Sequence, residues 1–230
     1  MFMSRAQLGR EGGFTLIELM VAMMLGLIVS AATLAIVITS IHLTSNYDDR
    51  VEATQQGRDA MLEMTQALTS SCVAAAVAPI LAASDNSDVW FYSSLTDAAT
   101  VKPSKVWIQY TGAALVMKTY AWASGVSPSW VFATTPTTFV LLANAAQVAT
   151  TPVFQYFGYG SAGVLSTTAY PVTTTLGTSA ATTAEVQINF EAIPSDGWTA
   201  LSRPANFSDA VVLRLSAASN QAGVLNLPCT

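Results

Sequence analysis

The sequence predicts an α+β fold: one long N-terminal helix, residues 14–69, laid on an antiparallel β-rich head, residues 70–230. Three observations predict it. Phe14 to Ile38 is an apolar run with one ionisable side chain, Glu18, no proline and Gly26 as its only glycine. Val51, Thr54, Gly57, Met61, Met64 and Leu68 then recur at spacings of three or four, the period of a helix with one buried stripe. From Ser70 onward short β-branched and aromatic segments alternate with turn residues, the pattern of consecutive strands rather than of βαβ units.

The apolar run comes first because its length decides its environment. About 20 apolar residues cross a hydrocarbon layer of ~30 Å, and residues 14–38 exceed that. The run predicts a membrane helix. Arg5 and Arg10 precede it, so the positive-inside tendency keeps the leader cytoplasmic and the C-terminal part outside. Residues 1–13 lack the 7–15-residue apolar core of a secretory signal peptide.

Glu18 is the anomaly in this run. A carboxylate at the bilayer centre costs at least ~2.5–3.5 kcal/mol, so such residues normally have a partner. Scission between Gly13 and Phe14 would create an α-amine one helical turn away. Charge pairing and the helix dipole both favour that amine beside the carboxylate. The amine of a neighbouring helix would serve equally well, and Glu18 would then mark the register of stacked subunits.

Gly13-Phe14-Thr15-Leu16-Ile17-Glu18 resembles the processing and assembly motif of type IV prepilins and type II secretion pseudopilins. The resemblance implies that a prepilin peptidase cuts after Gly13 and that the new N-terminal residue, Phe14, is N-methylated. It implies that Glu18 pairs with an N-terminal amine during filament assembly. It also implies a pilin-like fold, with other pilins or minor pilins and an inner-membrane assembly platform as partners. Before assembly the chain would lie in the cytoplasmic membrane, crossing it once with its head outside. After assembly it would lie in a pilus or at the cell surface.

No proline interrupts residues 39–68, so the helix is expected to run on to about Leu68, ~80 Å in all at 1.5 Å per residue. Gly57 is a weak point in it, worth ~1 kcal/mol relative to alanine. Gln56 to Met64, followed by Cys72, is similar to the second half of the helix in PilW-like minor pilins. The apolar half lacks the proline that major pilins usually carry, which favours a minor pilin or pseudopilin.

In the head, residues 89–92, 106–110, 115–120, 130–132, 139–142, 153–157, 186–191 and 210–215 read as strands. Thr111-Gly112-Ala113-Ala114 is a hairpin connection. Ala74 to Ala83 reads as a short helix or a packed loop, and the Ser/Thr-rich stretches at 134–138, 173–175 and 179–183 as exposed loops. The aromatic strand Phe154 to Phe157 before Gly158 resembles an element of PilW-like and J-type pseudopilin heads. Cys72 and Cys229 both fall in the outside part, where disulfides persist. Joining them would close a loop of over a hundred residues, worth ~5 kcal/mol in the chain-entropy model.

Composition and missing motifs bear on function. A net charge of −5 with dispersed arginines gives no electrostatic footprint for direct nucleic-acid binding. The single histidine, His42, sits at the membrane boundary, which removes His-based triads and zinc clusters from the head. Ser84-Asp85-Asn86-Ser87-Asp88 offers oxygens to Ca²⁺ but reads as a solvated turn. No metal, cofactor or enzymatic activity is expected. The expected function is a minor pilin that helps initiate or cap a type IV pilus. The alternatives are a pseudopilin of a type II secretion or competence system, and a membrane-anchored surface adhesin outside any filament.

Overall fold

The computed structural model describes residues 13–73, 77–94, 102–126, 129–160, 162–194 and 204–213. Helix α1 spans Leu16–Thr69, within two residues of the expected bounds. Contacts divide the chain into two units, Met1–Asn46 and Tyr47–Thr230.

In the first unit the apolar part of α1 is exposed along its length, from Leu16 at 77% to Leu43 at 43%. Threonine hydroxyls here are satisfied within the helix: Thr33 donates to the Ser30 carbonyl and Thr39 to the Ala35 carbonyl, each at 2.9 Å. This back-bonding lets threonines lie in an apolar surface without an unpaired donor. The helix is long and apolar enough to cross a membrane, and none of its apolar window is buried.

In the second unit the remainder of α1 buries Ala53, Gly57, Ala60, Met61, Met64 and Leu68. Gly57, Met61, Met64 and Leu68 lie inward as expected, and the stripe differs at its start. Val51 is 55% exposed, and Ala53 takes the inward position because a small residue allows close approach of the backbone.

Ten strands follow. They are β1 Asp88–Ser93, β2 Ser104–Tyr110, β3 Leu115–Tyr120, β4 Trp122–Val126, β5 Ser129–Phe132, β6 Thr137–Leu142, β7 Ala145–Ala146, β8 Phe154–Gly158, β9 Thr183–Ala192 and β10 Ala205–Val212. The helix was expected to cover a single sheet. Instead the strands form a four-stranded sheet β1-β2-β3-β6, a second sheet with β9 between β10 and the tandem pair β7 and β8, and a two-stranded β4-β5 hairpin. All pairings are antiparallel.

The β2–β3 hairpin closes through residues 111–114 as expected. Gly112 takes a left-handed φ of 92° there, and the Thr111 amide bonds the Ala114 carbonyl at 2.9 Å. Val89, Phe91, Val106, Ile108 and Leu115 point inward from the first sheet and Tyr156, Val186, Ile188 and Phe190 from the second, and all join the helix stripe in one core.

Residues 77–83 form a packed loop, one of the two expected readings, and residues 74–76 lie outside the described residues. Two further expectations need correction. Two of the three Ser/Thr stretches are partly ordered: Thr137 and Thr138 begin β6, and residues 179–182 belong to a 3₁₀ turn, Gly177–Thr182, that leads into β9. The last strand lies earlier than 210–215, because its pairing with β9 starts at Ala205; Arg214 and Leu215 lie outside the described residues.

Gly57 is a contact point as well as a weak helix former. A Cβ at that position would run into the Phe207 ring, reaching Cζ at 2.6 Å and Cδ2 at 3.0 Å. Phe207 in turn stacks on buried Phe190, with centroids 5.2 Å apart at 18°. Asn206-Phe207-Ser208, a glycosylation pattern in the sequence, lies in β10.

Candidate functional site: the N-terminal motif

Gly13, Phe14 and Thr15 lie just before the first helical residue, Leu16. Thr15 starts the helix. Its carbonyl accepts from the Glu18 amide at 3.0 Å and the Leu19 amide at 3.2 Å, and its Oγ1 accepts from the Glu18 amide at 3.3 Å. This is half of a capping box, Thr15-x-x-Glu18. Glu18 falls in the first turn, where the unpaired helix amides favour a carboxylate.

Phe14 is therefore outside the helix in the uncut chain, so an amine made at residue 14 would not sit in an i, i+4 relation on a regular turn. The motif Thr-x-x-Glu before an apolar run could have revealed Thr15. Glu18 shares a helix face with Thr15, Ala22 and Leu25, which lie three and four residues from one another along the chain. Nothing in the unit covers that face, since Glu18 and the apolar residues around it are all exposed. Residues 1–12 of the expected leader lie outside the described residues.

Cys72 is fully buried, just after the end of α1. No cysteine among the described residues is free. Cys229 lies outside the described residues.

The Ser84–Asp88 segment is a structural junction rather than a solvated turn. The Asp85 carboxylate accepts from the Ser87 amide at 2.6 Å and the Asp88 amide at 2.9 Å. Buried Ser84 Oγ accepts from the Trp90 amide at 2.8 Å. The Tyr156 hydroxyl, from the second sheet, donates to the carbonyls of Asp85 and Asp88 at 2.9 and 2.7 Å. Burial, reinforced by the Asp85 and Asp88 carboxylates, holds the Tyr156 hydroxyl well above the ordinary phenol range. The Asp88 carboxyl is pushed up to about 6, first by burial and then by Asp85, against the indole N–H groups of Trp107 and Trp90. Among the described residues no group of three His, Cys, Asp or Glu side chains could hold a metal.

An exposed apolar helix headed by a capped acidic first turn, followed by an antiparallel head, defines a membrane-anchored chain of pilin-like α+β construction. The model of the family described as "Prokaryotic N-terminal methylation motif" matches residues 8–34. That segment contains Gly13, Phe14, Thr15 and Glu18, and the match supports a prepilin-like chain, a type IV pilin or a pseudopilin. Such a motif implies, in general, processing by a prepilin peptidase and assembly with other pilins. No curated protein and no solved structure matches the chain.

Proposed function

We propose that the chain is a minor pilin, a structural subunit that helps initiate or cap a type IV pilus. The observation that carries this reading is the conjunction of the methylation motif at residues 8–34 with a helix whose apolar surface is wholly uncovered within the unit. Exposed apolar area on that scale needs a bilayer or a bundle of like helices around it.

In this reading the peptidase removes residues 1–13 after Gly13, Phe14 becomes the methylated N-terminus, and residues 14–38 pass from the membrane into the filament core. Glu18 supplies the acid that answers the terminal amine of its own or a neighbouring helix. In apolar surroundings that pairing is the cheapest way to keep Glu18 charged. Residues 70–230 form the head, and the proposed Cys72–Cys229 bridge would tie its C-terminal end to the end of α1. The role is structural, with no catalysis assigned.

The experiment is Glu18→Ala with filaments recovered by shearing. Membrane insertion should be unchanged and the amount of chain in the sheared fraction should fall. Equal recovery of variant and parent would overturn the assembly role of Glu18.

A further inference from the structure

The chain has three lysines, Lys102, Lys105 and Lys118, and all three sit on tryptophan rings. Lys102 Nζ lies 3.6 Å from the Trp122 ring centroid, Lys105 Nζ 4.3 Å from that of Trp90, and Lys118 Nζ 4.1 Å from that of Trp107. Trp90 pairs directly with Trp107, Trp107 with Lys118, and Lys105 with Tyr120, so these residues share the face of the first sheet turned away from the core. Among the described residues Lys118 donates to Gln109 Oε1 at 3.3 Å, and no carboxylate pairs with any of the three ammonium groups.

The ring faces themselves are taken. Trp90 and Trp107 stack at 4.4 Å and 11°, and each carries an ammonium group. A sugar or base seeking a stacking platform finds none, and the face is instead read by charge. Asp88 shares this face, with its carboxyl against the Trp107 and Trp90 indoles, so in a chain of net charge −5 the face sets Lys105 and Lys118 against one carboxylate and keeps unused donors.

The same unit carries its complement. Asp48, Glu52, Asp59 and Glu63 on α1 are exposed, at spacings of four, seven and four. At 3.6 residues per turn they fall within an arc of about 60°, on the side of the helix away from Gly57 and Met64. The stripe contains no basic residue. Lys105 and Lys118 are diagonal neighbours on adjacent strands, roughly 7–8 Å apart at their Cα atoms. Asp59 and Glu63 are an i, i+4 pair, roughly 5–6 Å apart.

We propose that the lysine–tryptophan face of one copy docks on the acidic α1 stripe, Asp48 to Glu63, of a second copy of this chain. The two surfaces differ and lie on opposite sides of the head, so the contact is heterologous. Heterologous contacts propagate into open helical assemblies unless the rotation closes. The proposal rests on the filament reading and requires that more than one copy of the chain enter a filament, where it supplies a lateral contact between heads.

The test uses the full chain in detergent, mixed in equal parts with a ¹⁵N-labelled copy and treated with a carbodiimide that couples carboxylates directly to amines. Mass spectrometry should find mixed-isotope cross-links from Lys105 or Lys118 to Asp59 or Glu63. Their yield should drop at least ~5-fold at about 1 M salt, where the screening length is about 3 Å. Lys105→Glu with Lys118→Glu should abolish them, as should Asp59→Lys with Glu63→Lys, and self-association should return when the two variants are mixed. The acidic-stripe variant leaves the tryptophan face intact, so its loss of contact is not a folding defect.

Same-isotope cross-links only, or no rescue on mixing, would overturn the contact. So would a lysine face that binds soluble alginate while both variants self-associate like the parent. A chain recovered in filaments without these cross-links would sink the contact and leave the filament reading standing. Cross-links in a chain never found in filaments would do the reverse.

Discussion

Replacing Gly57 by alanine sets two effects of known size against each other. In an exposed helix the change would stabilise by about 0.8–1.0 kcal/mol, because glycine has the greater backbone freedom to lose. Here the new methyl would lie 2.6 Å from Phe207 Cζ and 3.0 Å from Cδ2, whereas carbon contacts settle at about 3.5–4.0 Å. The ring must therefore retreat by roughly 1 Å, and it is held from the other side by its stack on buried Phe190. Overpacking of this kind costs about 1–3 kcal/mol, so after the propensity gain the net expectation is a loss of up to about 2 kcal/mol.

All five tryptophans, Trp90, Trp107, Trp122, Trp130 and Trp198, lie in the head. Urea unfolding of the full chain in detergent, followed by tryptophan fluorescence, therefore reports on this unit alone. With a slope near 2 kcal/mol per molar, the midpoint should fall by up to about 1 M. In a Phe207→Ala background the sign should reverse, and Gly57→Ala should stabilise by up to about 1 kcal/mol. If Gly57→Ala raises the midpoint while Phe207 is present, the helix-to-β10 contact described above is wrong.

Gly13→Val should leave the leader attached, read as an N-terminal peptide that still contains residues 1–13; efficient cleavage of this variant would contradict the processing site. Asp88→Asn tests the junction turn. A carboxyl raised from 3.8 to about 6 supports folding most below pH 4 and loses that support as pH rises through about 6. Discounted for its partial exposure, the effect is on the order of 1 kcal/mol. The variant should match the parent at pH 3.5 and exceed its stability by that amount at pH 7; parallel pH profiles would refute it. Cys72→Ser should cost about 2–5 kcal/mol if the proposed bridge to Cys229 forms, and thiol labelling of the unfolded parent should need prior reduction. Ready labelling without reductant would remove the bridge.

The helix was legible because its signals are local. A long apolar run and a three-and-four spacing survive whatever packs around them, and α1 ends within a residue or two of where that spacing stops. The error at the start of the stripe, Val51 for Ala53, arose because hydrophobicity favours valine where the packing needed a small residue.

Strand positions were legible from β-branched and aromatic clusters, but their grouping into sheets was not. β3 pairs with β6 across the β4–β5 excursion, and that choice rests on contacts between residues distant in sequence. β4, with Gly125 near its end, and the two-residue β7 carry too little periodicity to be seen alone. The role of Gly57 was hidden for a similar reason, since its partner Phe207 lies 150 residues on. In the candidate site Gly13, Phe14 and Glu18 stood out through the resemblance to the prepilin motif, and Thr15 could have been read as the helix cap. The lysine–tryptophan face could not be read from sequence, because Lys105 and Lys118 come together with Trp90 and Trp107 only through the β1-β2-β3 register.

The central claim is that an acid in an apolar helix is matched to an amine created by proteolysis. Mass spectrometry of the N-terminal peptide of the mature chain, taken from sheared filaments, measures it most directly. The account predicts a peptide beginning at Phe14 and carrying one added methyl group on its α-amine. A chain that retains Met1 to Gly13, or that begins at any other residue, would contradict it.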